Sequence, residues 1–269
     1  MAEQNAKTPT TKEQLKAALS KLGLKKGQII EVHTKLSSFE WLVGGAQTVV
    51  DALMELETES GTIVMPCQRS GNSEPSDWEN PPVLPEYYKT VREAMPPYSQ
   101  TNSDMMAMGK TVENFVKREG VIQSLHPNVS FAAWGRYARL LCNRQSLHFP
   151  LAEESPTARL YELKGYVLLI GTDFDRATCM HLAEYRTDCR PIKINGACVD
   201  EGNGPEWKKY LDLDIDSEVF TKIGAIMKRK NMIREIMLGG SKIQFFSAQS
   251  AIDEATAYFE KTSVYELYR

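Results

Sequence analysis

The 269-residue sequence has no apolar run approaching the length of a membrane span, and its polar opening carries no apolar signal core. A membrane partner is therefore not expected. Its five cysteines are odd in number and lack the close pairing of metal-binding motifs. With the polar opening, they predict a reducing, cytoplasmic setting rather than a disulfide scaffold. Charge of one sign is also lacking: 32 basic against 35 acidic residues leave a net −3, which offers nucleic acid no basic field. Walker and dinucleotide fingerprints are absent, as are internal repeats and low-complexity segments.

What remains is ordinary globular composition, 42 % apolar and 25 % charged. Thr10 and Glu13 fit a capping box. Leu15, Ala18, Leu19 and Leu22 follow at helical spacing, and Gly23 supplies a stop. Gln28–His33 reads as a buried strand. A Gly44-Gly45 turn then opens a helix whose Val49, Val50, Leu53 and Leu56 share a face, and Thr62–Met65 is a second strand. This alternation is that of an α/β sheet.

Residues 67–104 interrupt the rhythm with prolines, carboxylates and the aromatics Trp78, Tyr87 and Tyr88. So long an irregular excursion suggests an ordered, ligand-facing lobe, with short helix around Pro85–Met95. The pattern resumes with a helix near Lys110–Arg118, an extended Ser130–Trp134 and a helix after Ser155-Pro156. Tyr166–Gly171 is the clearest central strand. A helical segment after Thr178, a helix near Glu218–Lys230, a strand near Ile243–Phe246 and a helix over Ala251–Lys261 complete the reading.

His181 and Glu184 stand three residues apart just after that central strand. On a helix they share a face, and strand C-terminal ends in α/β sheets are where ligands bind. A histidine can take a proton from an amine attacking a carbonyl, while a neighbouring carboxylate fixes its tautomer or grips a cationic substrate. Spacing alone leaves a surface capping pair equally open. The Gly44-Gly45 turn, with Thr34, Lys35, Ser37 and Ser38 before it, can present N–H groups to an anion or be a plain turn. His126, held extended by Pro127, can face a cleft or serve as a turn histidine. Cys179 can be a thiol nucleophile or an inert buried cysteine. Glu74, Asp77 and Glu79 around Trp78, with Glu153-Glu154, can meet ammonium groups or simply be solvated. His181, Glu184, Cys179 and Cys189 match no standard zinc spacing, so no metal is expected.

Several segments in order resemble one family. They are His33-Thr34-Lys35-Leu36-Ser37, Gly44-Gly45-Ala46, Gly61–Pro66, Met108-Gly109, Ser124-Leu125-His126-Pro127, Ser130–Gly135, Ser155-Pro156, Val167–Gly171 and His181-Leu182-Ala183-Glu184. The series is similar to the aminoglycoside 3-N-acetyltransferases over about residues 10–260. The resemblance implies a three-layer α/β sandwich with a central mixed, largely parallel sheet, formed by one domain over 10–269 with a substrate-side lobe at 67–104. It implies acetyl-CoA as co-substrate and direct transfer to the 3-amino group of a 2-deoxystreptamine aminoglycoside, conferring resistance.

Carried onto this chain, His181 is the general base and Glu184 its partner or a grip on the substrate. His33, Thr34, Lys35, Leu36, Ser37, Gly44, Gly45, Ser124 and His126 line the CoA channel. Glu74, Asp77, Trp78 and Glu184 are the candidates for holding the aminoglycoside. A homodimer is the default expectation for assembly. The chain departs from the family pattern at Lys35, where a second serine is usual, and at Gln123, where an arginine is usual. Lys35 is expected to restore positive charge near the CoA phosphates. The 67–104 lobe resembles chromosomal relatives of unassigned substrate more than resistance enzymes. Rival readings are the same chemistry on another small amine, a non-catalytic CoA- or aminosugar-binding protein, a zinc hydrolase, and a ping-pong route through Cys179.

Overall fold

The computed structural model describes residues 7–105 and 108–261. In chain order the elements are α1 (Lys12–Leu22), β1 (Ile29–Thr34), α2 (Gly45–Glu57), β2 (Thr62–Pro66), α3 (Tyr88–Ala94), α4 (Lys110–Phe115), β3 (Ile122–Gln123) and β4 (Phe131–Gly135). There follow α5 (Ala138–Cys142), α6 (Pro156–Glu162), β5 (Tyr166–Ile170), α7 (Leu182–Tyr185), β6 (Ile192–Asp200), β7 (Pro205–Leu213), α8 (Phe220–Arg229), β8 (Ile233–Leu238), β9 (Ser241–Ser247) and α9 (Ala248–Phe259).

Helix α1 begins one residue later than the sequence suggests. The Thr11 hydroxyl accepts from the Gln14 N–H at 3.3 Å, and the Gln14 side chain accepts from the Thr11 N–H at 2.9 Å. Glutamine serves the return bond of a capping box as well as glutamate does. Thr10 is instead tied to the loop before α2, its N–H donating to the Trp41 carbonyl at 2.8 Å. The turn into α2 needs both glycines. Gly44 has φ +77° and Gly45 φ +53°, and a Cβ on Gly44 would stand 2.4 Å from the Thr48 hydroxyl.

Seven strands form one sheet in the order β3-β4-β2-β1-β5-β9-β8. The centre, β2-β1-β5, is parallel, while β4 pairs antiparallel with β2 and β9 antiparallel with β5. Strand alternation sends Ile30, Val32, Ile63, Met65, Leu168 and Ile170 to one face, against α1, α2 and α4. Ile29, Val64, Val167 and Leu169 go to the other, against α6, α8 and α9. The result is the three-layer α/β sandwich with a mixed sheet. Both faces are apolar because helices cover both. Removing Leu53, fully buried between α2 and the sheet, to alanine would cost about 2–5 kcal/mol.

Strand β1 breaks the apolar rule at one point. Glu31 shares the face of Ile29 yet is only 1 % exposed. Outside the sheet, β6 and β7 make a two-stranded ribbon. The 67–104 segment packs on it: the Asn72 side chain bonds the Cys198 carbonyl and N–H at 3.0 and 2.8 Å, and the Tyr98 N–H meets the same carbonyl at 3.0 Å. That segment contains α3 and two short 3-10 turns. No helix among the described residues is long and apolar enough to cross a membrane.

Candidate active site

The parallel centre of the sheet points the C-terminal ends of β1, β2 and β5 to one edge, and a cleft of about 820 Å³ opens there. Its walls come from His33, Thr34 and Lys35 at the end of β1, Pro66 and Gln68 at the end of β2, and Gly171 to Asp173 after β5. Gly171 turns the chain away from β5 at φ +68°. A Cβ there would lie 1.7 Å from the Ser38 hydroxyl, so only glycine lets the two strand ends meet.

His181 lies on this wall, in a 3-10 turn (Thr178–His181) that runs directly into α7. The turn is anchored by apolar Cys179 and Met180, both fully buried, which leaves His181 at the cleft side. Its Nδ1 lies 2.5 Å from Glu184 Oε2, and its ring packs edge-on against Phe220. Glu184 Oε1 accepts from Arg190 Nε at 2.6 Å and from the Asp216 N–H at 3.1 Å. A carboxylate already facing an arginine accepts from Nδ1–H, so the Nε2 lone pair of His181 is the one left toward the cleft. Among the described residues Nε2 has no hydrogen-bond partner.

This arrangement corrects one expectation. Glu184 is completely buried and does not line the cleft, and both its oxygens are engaged by its own chain. Its Oε2 faces His181 and its Oε1 faces Arg190 and the Asp216 N–H. Two carboxylates of the lobe are likewise matched. Glu74 is buried against the Arg92 guanidinium, Asp77 meets Lys193 at 3.0 Å, and the Trp78 indole N–H donates to Ser73. None of Glu74, Asp77 and Trp78 lines the cleft.

Of the residues expected at the CoA channel, His33, Thr34 and Lys35 line the cleft, while Leu36, Ser37, Gly44 and Gly45 lie in the chain just beyond. Ser124 and His126 do not reach it. The Ser124 hydroxyl donates to Gln145 and accepts from the Phe131 N–H. His126 Nδ1 accepts from the N–H groups of Asn128 and Val129, and Nε2 faces the Leu147 carbonyl at 3.2 Å. Burial lowers its pKa to about 4, so the ring is a neutral brace for the turn.

Beside Gln123, where the family pattern has arginine, a guanidinium does stand: Arg69 Nη2 donates to Gln123 Oε1 at 2.8 Å. Cys179 is fully buried, and burial followed by the neighbouring Glu31 carboxylate pushes its thiol well above the usual range. A thiol so placed is disfavoured as a source of thiolate.

Sequence reading missed Arg190 and Asp216, six and 32 residues from Glu184 in the chain, as partners of that carboxylate. It also passed over Glu31, although a carboxylate inside an apolar strand is itself a signal. Glu31 Oε1 lies 2.6 Å from His33 Nε2 and accepts from the Cys179 N–H at 3.2 Å. The cleft's own acids, Asp173 and Asp175, sit in the turn after β5 and pair with Lys242 and Arg176.

Known proteins share this architecture. The family model described as aminoglycoside 3-N-acetyltransferase matches residues 32–260. The SPbeta prophage-derived aminoglycoside N(3')-acetyltransferase-like protein YokD of Bacillus subtilis (strain 168) is 40 % identical over 252 residues, 93 % of each chain. Its crystal structure superposes with a TM-score of 0.92 at 39 % identity, covering 96 % of each chain. Aminoglycoside N(3)-acetyltransferase IX of Micromonospora chalcea is 32 % identical over 222 residues, 79 % of this chain and 75 % of its own. A structure of AAC-IIIb in binary complex with CoASH matches at TM-score 0.84 and 25 % identity, over 94 % of this chain and 97 % of that one.

Proposed function

Because the chain belongs to the aminoglycoside 3-N-acetyltransferase family, and is therefore an acyltransferase, we propose that it carries an acetyl group from acetyl-CoA to the 3-amino group of an aminoglycoside, with His181 as general base. The observation that carries this reading is the orientation of His181: Nδ1 held by a buried, arginine-backed carboxylate and Nε2 left open on the cleft at the strand ends. That is the geometry of a base that must accept a proton and not swing away.

Acetyl-CoA brings the acetyl group as a thioester, already activated toward an amine. The residues present suit such a co-substrate. Lys35, without a carboxylate partner among the described residues, adds positive charge at the strand end for its phosphates. The relative bound to CoASH supports the same donor. As the amine nitrogen bonds to the thioester carbon, His181 Nε2 takes its proton and Glu184 stabilises the imidazolium from the far side. Buried Cys179 takes no part, which favours direct transfer over an acyl-enzyme. An acetylated aminoglycoside has lost a positive charge, the basis for resistance.

A second reading keeps the chemistry and changes the acceptor. It is favoured by the charge of the cleft, where Asp173 and Asp175 are matched by Lys242 and Arg176 and Lys35 is in excess. A polycation is drawn to unmatched carboxylates, so this balance suits a small amine with fewer cations. Thiol release from acetyl-CoA, measured across 2-deoxystreptamine aminoglycosides and simple amines, decides between them. Turnover confined to aminoglycosides supports the first reading, and turnover confined to simple amines the second. No amine-dependent thiol release with any acceptor would sink both and leave a binding protein.

A further inference from the structure

An amine that arrives as an ammonium carries three N–H bonds, and the amide product retains one. Two protons must leave the nitrogen, and one imidazole can hold only one of them at a time. His181 accounts for the second proton, released as the nitrogen bonds to carbon. The cleft contains another imidazole of the same construction. His33 lines it, its Nε2 lies 2.6 Å from buried Glu31, and its Nδ1 has no partner among the described residues.

The support for His33 is unusual in its cost. Glu31 is 1 % exposed in an otherwise apolar layer, and its Oε2 has no hydrogen-bond partner. An apolar side chain would pack there without that penalty. What the carboxylate holds is His33 on its own strand and, through the Cys179 N–H, the 3-10 turn that ends in His181. One buried carboxylate thus fixes His33 and braces the segment presenting the other base.

We propose that His33, oriented by Glu31, is a second proton acceptor of this cleft, taking the first proton of the incoming ammonium at Nδ1 before His181 takes the second. The assignment rests on the acetyl-transfer reading above. In the first step one N–H bond of the ammonium breaks, its electron pair stays on nitrogen, and an Nδ1–H bond forms. The resulting imidazolium is balanced by Glu31 and returns its proton to water at the cleft mouth. In the second step the neutral nitrogen bonds to the thioester carbon and its next proton passes to His181 Nε2. The sulfur leaves with the C–S electron pair and is protonated by His181 or water. The charged or titratable groups sharing the cleft with His33 are Lys35, Asp173, Asp175, Arg176, His181 and Lys242. Two of the cations are paired with the two aspartates, so Glu31 is the group in direct contact with the ring.

The test is the pH dependence of kcat/KM for His33→Gln and Glu31→Gln, using the best acceptor of the wild-type panel and acetyl-CoA. At neutral pH, where that amine is an ammonium, each variant is expected to lose about 10- to 100-fold. Above the pKa of the amine, which then arrives neutral, the deficit should shrink to less than about threefold while the His181→Ala deficit persists. CoA affinity of Glu31→Gln, from calorimetric titration, should stay within about threefold of wild type. A deficit constant across pH, or none at neutral pH, overturns the assignment. Circular dichroism identifies a misfolded variant. If His33→Gln misfolds, Glu31→Gln carries the test, because the amide keeps an oxygen for the Cys179 N–H. A wild-type enzyme that acetylates no amine would instead overturn the reading on which the proposal stands.

Discussion

His126 and His181 are both buried, both follow a strand or turn of the sandwich, and both pack edge-on against an aromatic ring. They differ in what their nitrogens do. His126 has both occupied by backbone, two N–H groups on Nδ1 and a carbonyl opposite Nε2. His181 has one nitrogen held by a carboxylate and the other directed at open space. Burial alone therefore does not mark a working histidine. A brace has no unpaired nitrogen, while the base proposed at His181 needs one fixed and one free.

The sharpest way to break this contrast is to remove His181. His181→Ala should lower turnover about 10²–10⁴-fold with CoA affinity little changed, and turnover near wild type would end its role as base. Glu184→Gln removes the ionised acceptor behind Nδ1 and should cost roughly 10²-fold in kcat, more than it costs KM. A change in KM alone would return Glu184 to the substrate.

His126→Ala should do the opposite. It is expected to cost about 2–4 kcal/mol of stability by chemical denaturation, through orphaned backbone groups and lost packing on Tyr210, with turnover of the folded enzyme within about threefold. The pH dependence has a definite sign. His126 titrates near 4 when folded against about 6.5 unfolded, so the unfolded chain binds the extra proton between those values. The stability it contributes is complete above pH 6.5 and is lost as pH falls toward 4. A denaturation series in which His126→Ala removes part of that acid sensitivity would bear this out; unchanged sensitivity would refute it.

Glu57 runs the other way. Burial raises its carboxyl to about 8, above its unfolded value, so its contribution is complete in mild acid and is lost as pH climbs from about 4.5 to 8. Glu57→Gln should therefore raise stability at pH 8 by about 1–3 kcal/mol and change little at pH 4. A gain that is equal at both values would show that charge is not the cause. Smallest of all, Cys179→Ala should keep activity within about twofold; its loss would restore a thiol mechanism.

Much of the frame was legible because its signals are local. The buried runs of β1, β2 and β5, the Ser155 cap with Pro156, and the Gly44-Gly45 turn each depend on a few adjacent residues. The ribbon and β8 were not, because they are two-sided and half exposed. Ile192 and Ile194 face solvent, and Arg234 and Glu235 interrupt β8, so neither reads as a core strand. Within the site, the His181–Glu184 pair was visible at spacing three, but its meaning depends on partners that only the fold supplies. The same holds for the lobe acids: Glu74 and Asp77 look like free carboxylates until Arg92 and Lys193 are brought to them. A sequence shows charges, while their neutralisation is a tertiary fact.

The parallel pairing of β1 with β5 carries a consequence for how the molecule is built. Ile30 pairs with Tyr166 and Thr34 with Ile170, so strands of the early and late chain must find one another across a wide separation in sequence. Such non-local closure is slow, because loop entropy is lost before the contacts form. A ribosome that has made α1, β1, α2 and β2 has produced one layer of helices and one lip of the cleft. The other lip, with His181, arrives more than a hundred residues later, and Lys242 later still. Until then Glu31 has neither the Cys179 N–H nor a dry layer around it and remains an ordinary solvated acid. The proposed catalytic centre is thus among the last features to exist in a nascent chain, and a chain halted before β5 would carry half of it exposed to water.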